Sequence, residues 1–146
     1  VYAALKKPSM YNTAFAYSGL LNILERYDKP QGIDMFPVFG TRQQLIDNGY
    51  DLYTLVDEYA DNEEKMHTKY IIACGTEDPR IHMSRQFGEA LTRAGIDNVY
   101  RESPGEHNFA YWDYCIYAGR THYGSNEYKC IFGYVKAWNG CDSGAS

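Results

Sequence analysis

No apolar run in the chain exceeds five residues, Tyr70–Cys74 being one, so no segment approaches the roughly 20 residues that a membrane-spanning helix needs. Basic blocks are also missing. Lys and Arg number 14 against 19 Asp and Glu, for a formal net charge of −5. Without a cationic stripe, neither nucleic acid nor an anionic membrane surface is an expected partner. Cysteine is sparse. Cys74, Cys115, Cys130 and Cys141 form no C-x-x-C pair and have no histidine at metal-ligand spacing, so no zinc centre is expected. Cys74 sits in an apolar run and reads as a buried thiol; one disulfide among the other three would imply an oxidising compartment. Phosphate-binding glycine loops, N-x-S/T sequons and internal repeats do not occur. Finally, no initiator Met, signal-peptide core or helix cap stands before Val1–Lys7, which reads as the interior of a helix. The expectation is a portion of a longer protein.

What is present is ordinary globular composition: 146 residues, 45% hydrophobic and 23% charged, enough for the core of one domain. Residues 1–138 are expected to form that domain, with 139–146 as a tail or the start of a linker. Tyrosine dominates the aromatics, with 15 Tyr beside 6 Phe and 2 Trp. Its apolar ring and polar tip suit half-buried positions in strands and helices, and equally a surface that meets sugars.

Along the chain, Phe15–Ser18 is a short strand candidate ending at Gly19. Residues 28–50, rich in Gly, Pro, Asp and Asn, read as an irregular excursion. Asp51 stands as N-cap of a helix from about Leu52 to Met66, with Leu52, Leu55, Val56 and Tyr59 on one face and the acidic stretch Asp57 to Glu64 solvated. Lys69–Cys74 is a compact apolar strand, ended by the turn Gly75–Pro79. Met83–Ala94 is an amphipathic helix with Phe87, Ala90, Leu91 and Ala94 inward and Gly95 at C′. Val99–Glu102 is a further strand, broken by Ser103-Pro104-Gly105. This alternation specifies a parallel α/β sheet, in which ligands bind beyond the carboxyl ends of strands.

Two polar turns lie at such ends. Asp78 follows one strand and His107 the next, a separation of 29 positions, room for one helix and one strand. A carboxylate on one imidazole nitrogen fixes the ring's tautomer and stabilises the imidazolium, leaving the other nitrogen to take a proton from a nucleophile. Spacing alone leaves open a turn-making aspartate and a surface histidine. Glu77 reads as an exposed turn residue or a supporting acid, and Asp113 beside Trp112 as a support for the His107 loop. His67, His82 and His122 have no partner at ligand spacing and are expected at the surface.

The local words go further. Cys74-Gly75-Thr76-Glu77-Asp78, the helix with Phe87 and Leu91, and Pro104-Gly105-Glu106-His107 with Trp112-Asp113 resemble the esterase branch of the α/β-hydrolases that includes esterase D-like, tributyrin-esterase-like and feruloyl-esterase-like proteins. Pro8, Phe15 and Ser18-Gly19 resemble the segment those proteins carry after their nucleophile, so the resemblance covers residues 1 to 116. It implies a parallel-sheet, three-layer α/β-hydrolase fold, short of its N-terminal strands and nucleophile elbow. It also implies that Asp78 and His107 are the acid and base of a Ser–His–Asp triad. The chain departs from the pattern in one respect: it contains no G-x-S-x-G elbow. Ser18 lacks both required glycines, and no other serine fits, so the resemblance puts the nucleophile upstream of Val1. Ala118–Ser146 does not follow the branch's usual closing helix.

The function so implied is hydrolysis of short acyl or feruloyl-type esters, carbohydrate-linked, with no metal or organic cofactor. The substrate would be a small-molecule or carbohydrate ester; homo-oligomer formation is left open, and the location is secreted or cytoplasmic, leaning to secreted. Two rivals are an acyltransferase of the same fold and a non-catalytic α/β module whose Tyr-rich surface holds a glycan.

Overall fold

A computed structural model describes residues 1–29, 35–62 and 67–123, the side chains of 120–123 excepted. The chain divides into two compact units, Val1–His107 and a second from Asn108 onward.

The first unit is built on three parallel strands: β1 (Thr13–Tyr17), β2 (Lys69–Gly75) and β3 (Asn98–Ser103), in the order β1-β2-β3. Register places Ala14 beside Tyr70 and Ala16 beside Ile72, while Ile72 faces Tyr100 and Gly75 faces Ser103. β2 is central, and its run Tyr70-Ile71-Ile72 is buried on both faces, as expected of an inner parallel strand. Along β1, period-two alternation buries Ala14 and Ala16 and leaves Phe15 40% exposed.

The covered face of the sheet meets three helices: α1 (Tyr2–Lys6), α5 (Leu52–Ala60) and α6 (Ile81–Arg93). Leu5 of α1, Leu55, Val56 and Tyr59 of α5, and Phe87, Ala90 and Leu91 of α6 close one core over Ala14, Ala16, Tyr70 and Ile72. The Tyr53 ring meets Phe87 edge-on at 5.8 Å. Asp51 caps α5 as expected, accepting from the Tyr53 and Thr54 N–H groups. Gly95 takes φ +68 just beyond α6, the left-handed conformation that ends helices cheaply only at glycine.

Two expectations need correction. Residues 28–50 are not wholly irregular: α2 (Glu25–Asp28) reaches into the segment, and α3 (Phe36–Phe39) and α4 (Arg42–Asp47) lie within it. α4 starts at a capping box in which Thr41 Oγ1 accepts from the Gln44 N–H and the Gln44 side chain accepts from the Thr41 N–H. The helix after Asp51 ends at Ala60, not near Met66. Asp61 and Asn62 follow it, residue types whose side chains compete for backbone groups and favour helix ends.

In the second unit α7 spans Phe109–Tyr123, with Tyr111, Cys115 and Ala118 buried at helical spacing and Phe109 79% exposed. Cys130, Cys141 and the tail 139–146 lie outside the described residues, and with them any disulfide pairing there. Among the described residues no helix is long and apolar enough to cross a membrane, and no group of three His, Cys, Asp or Glu could hold a metal ion.

Candidate active site

Parallel pairing of β2 with β3 sets the site. Beyond the last pair, Gly75 with Ser103, the two turns stay bonded: the Thr76 N–H donates to the Ser103 carbonyl at 2.9 Å and the Glu77 N–H to the Gly105 carbonyl at 3.0 Å. The Glu77 carboxylate returns the contact, accepting the Gly105 N–H at 2.5 Å. That hydrogen bond, with help from the Thr76 hydroxyl, holds the Glu77 carboxyl below the usual carboxylate range. The backbones approach so closely that a Cβ at Gly75 would collide with the Gly105 carbonyl. Only glycine fits there.

This clamp brings Asp78 and His107 together. Asp78 Oδ2 lies 2.8 Å from His107 Nδ1, with the His107 side chain 25% exposed and that of Asp78 fully buried. Burial pushes the Asp78 carboxyl up. The Arg80 N–H (2.8 Å, to Oδ1), the Ser18 hydroxyl and the His107 ring outweigh it and hold the group below the ordinary aspartate value. Asp78 is therefore a carboxylate at neutral pH.

The other imidazole nitrogen, Nε2, lies 3.1 Å from Nη1 of Arg80. A guanidinium has only donors, so Nε2 meets it with a lone pair. The ring proton then belongs on Nδ1, donated to Asp78. This assignment follows from the hydrogen-bond network, and it leaves Nε2 as the basic nitrogen.

Two neighbours of this pair escaped sequence reasoning. Ser18 directly follows β1 at φ 51, a left-handed conformation that non-glycine residues rarely take, and is only 4% exposed. Its N–H donates to the Ala73 carbonyl at 2.8 Å and its Oγ lies 3.8 Å from Cys74 Sγ. In the sequence Ser18 reads as a strand end and as a serine that fails the nucleophile pattern; nothing local marks it as a donor to Asp78. Arg80 is the other, a cation one residue past the turn-fixing Pro79. Cys74 is fully buried, and burial pushes its thiol up, so it carries no reactive thiolate.

The remaining candidates fall elsewhere. His82 Nε2 bonds the Glu25 carboxylate at 3.0 Å, and His67 is exposed. Asp113 and Trp112 lie on α7 of the second unit. Tyr100 donates to Glu102, which also takes a bidentate pair from Arg85 at 2.6 and 2.9 Å. These groups line a groove of about 590 Å³ along α6 and β3 that includes neither Asp78 nor His107.

Comparison with known proteins bears on the fold. No family model matches the chain. An acetyl esterase of Caldicellulosiruptor saccharolyticus is 33% identical over 76 residues, which is 52% of this chain and 28% of that protein. Among solved structures, the fluorophosphonate-binding serine hydrolase FphF of Staphylococcus aureus, with substrate bound, matches at TM-score 0.68 and 25% identity over 81% of this chain and 46% of its own. The S-formylglutathione hydrolase FrmB of the same organism, as apoenzyme, matches at TM-score 0.59 and 24% identity, covering 81% of this chain and 43% of that one. A ferulic acid esterase matches at TM-score 0.59 and 20% identity, covering 80% and 43%. The chain thus spans less than half the length of each of these proteins. FrmB and the ferulic acid esterase speak for the fold, while the acetyl esterase adds likeness in sequence. The chain has the α/β-hydrolase fold, and over 76 residues its sequence is similar to that of the acetyl esterase.

Proposed function

We propose that this chain supplies the acid and base of a serine carboxylic-ester hydrolase whose nucleophilic serine lies upstream of Val1. One observation carries the reading: Asp78 holds Nδ1 of His107 at 2.8 Å and so leaves Nε2 as the proton acceptor. In the reaction, Nε2 takes the serine proton as the hydroxyl attacks the ester carbonyl, and returns it to the departing alcohol. A water molecule, deprotonated by the same nitrogen, then releases the acid. Asp78 keeps the ring in the required tautomer and offsets the imidazolium charge. It remains a carboxylate throughout. The proposed substrates are short acyl or feruloyl-type esters, carbohydrate-linked. The acetyl and ferulic acid esterases among the similar proteins support that class. No metal or organic cofactor enters this reaction.

The test is fluorophosphonate labelling of the complete protein followed by peptide mapping. The label is expected on a serine outside residues 1–146, in a G-x-S-x-G setting, and His107→Ala should abolish it. A label on any serine within residues 1–146 would overturn the assignment.

A further inference from the structure

We propose that the Arg80 guanidinium, set against Nε2 of His107 and paired with no carboxylate among the described residues, is the recognition group for a carboxylate carried by the ester substrate. The inference rests on the hydrolase reading and concerns which esters that site prefers.

Arg80 is held in place by its backbone. Its N–H donates to Asp78 Oδ1 at 2.8 Å, Pro79 restricts the turn before it, and it occupies the N-cap position of α6. The side chain is half-buried and reaches Nε2 of His107. That contact uses one neutral lone pair, where a guanidinium offers five donors in a fork that matches a carboxylate. The nearby acids are engaged otherwise. Asp78 directs its oxygens to His107 Nδ1 and the Arg80 N–H, and Glu77 bonds Gly105. No ion pair joins the Arg80 guanidinium to either one. A partly desolvated guanidinium without a counter-ion is costly to keep. The first turn of α6 also holds no acidic residue, so the positive end of a 13-residue helix adds to the cation. A site so charged, in a chain of net charge −5, selects anions locally and not by overall attraction.

The position has a second consequence. Arg80 lies where the serine hydroxyl must approach Nε2. It therefore has to leave that nitrogen before proton transfer, and a substrate carboxylate gives the guanidinium a better partner. Binding of an acid-bearing ester would thus release the base in the same step that recognises the ester.

The experiment compares kcat/KM in the complete protein for charged esters and neutral isosteres. An acyl-side carboxylate is probed by p-nitrophenyl hydrogen glutarate against p-nitrophenyl pentanoate, and an alcohol-side carboxylate by 3-acetoxybenzoate against 3-acetoxybenzamide. The unmutated protein should prefer the charged member of one pair, and that pair names the side. Arg80→Met should lower the charged-to-neutral ratio by about tenfold to hundredfold, the range for one charge-assisted pair. Arg80→Lys should keep part of it. Should Arg80→Met fail to fold, the unmutated protein decides the matter: its preference should shrink toward 1 M salt, where the screening length is about 3 Å. A ratio near one in both pairs, or an equal loss on both members with Arg80→Met, overturns the Arg80 inference and leaves the hydrolase reading standing. Failure to hydrolyse any of the four esters overturns both.

Discussion

On the proposed mechanism, removing the His107 imidazole deletes the group that accepts the serine proton. His107→Ala in the complete protein should therefore lower kcat on the order of 10³-fold or more. Asp78→Asn should cost roughly 10⁴, as the matching change does in a serine protease, because the amide no longer holds the tautomer that frees Nε2. The double variant should be little worse than the poorer single one, since the two residues act as a unit. His122→Ala, a histidine outside the matched words, should stay within a few-fold of the unmutated protein. Steady-state kinetics on one ester checks all four, with circular dichroism to confirm folding. Asp78 also sets a sign for pH. Its folded-state value is lowered, so its contribution to stability is present above the ordinary aspartate range near about pH 3.9 and is lost as pH falls through the lower folded value. Ser18→Ala removes one of the donors that lower it. Carbon-detected NMR titration should find Asp78 moved up in that variant; an unmoved or lower value would exclude Ser18 as its partner.

At the scale of elements, the joint between the ends of β2 and β3 is the most sensitive place. Gly75→Ala would put a methyl group into the Gly105 carbonyl, so the turn bearing His107 must shift. A displacement of about 1 Å costs on the order of 10² in rate, and kcat for Gly75→Ala should fall by that much. Asp51→Ala, which removes the α5 cap, should cost about 1 kcal/mol in urea unfolding and leave kcat near that of the unmutated protein. The strands, α6 and both polar turns were legible in the sequence because each is written locally: an apolar run, a helical stripe, a Pro or Gly break. α4 was legible in principle through Thr41 and Gln44, but the surrounding Gly, Pro and Asn hid the capping box. Long-range joins were not legible. Glu77 meets Gly105 across 28 residues and Ser18 approaches Cys74 across 56, and those contacts exist only once the sheet register is set.

For the whole molecule, the sheet of the first unit is edged by β1 and β3, each paired on one side among the described residues. Open parallel edges invite further strands. Expressed alone, the 146 residues should show no activity on p-nitrophenyl acetate above background and should self-associate in size-exclusion chromatography; a monomeric, active chain would contradict this. The clamp between the two turns also limits how the gene can change in length. Asp78 stands three residues past the last strand pair on one side and His107 four past it on the other. One added residue in either tract would displace a functional group by up to about 3.3 Å, more than a hydrogen bond tolerates. The loop between α6 and β3 carries no such constraint, since slack there is absorbed before the register begins. Single-residue insertions scanned across residues 76–107 should therefore abolish activity at the two ends of that window and be tolerated near Gly95.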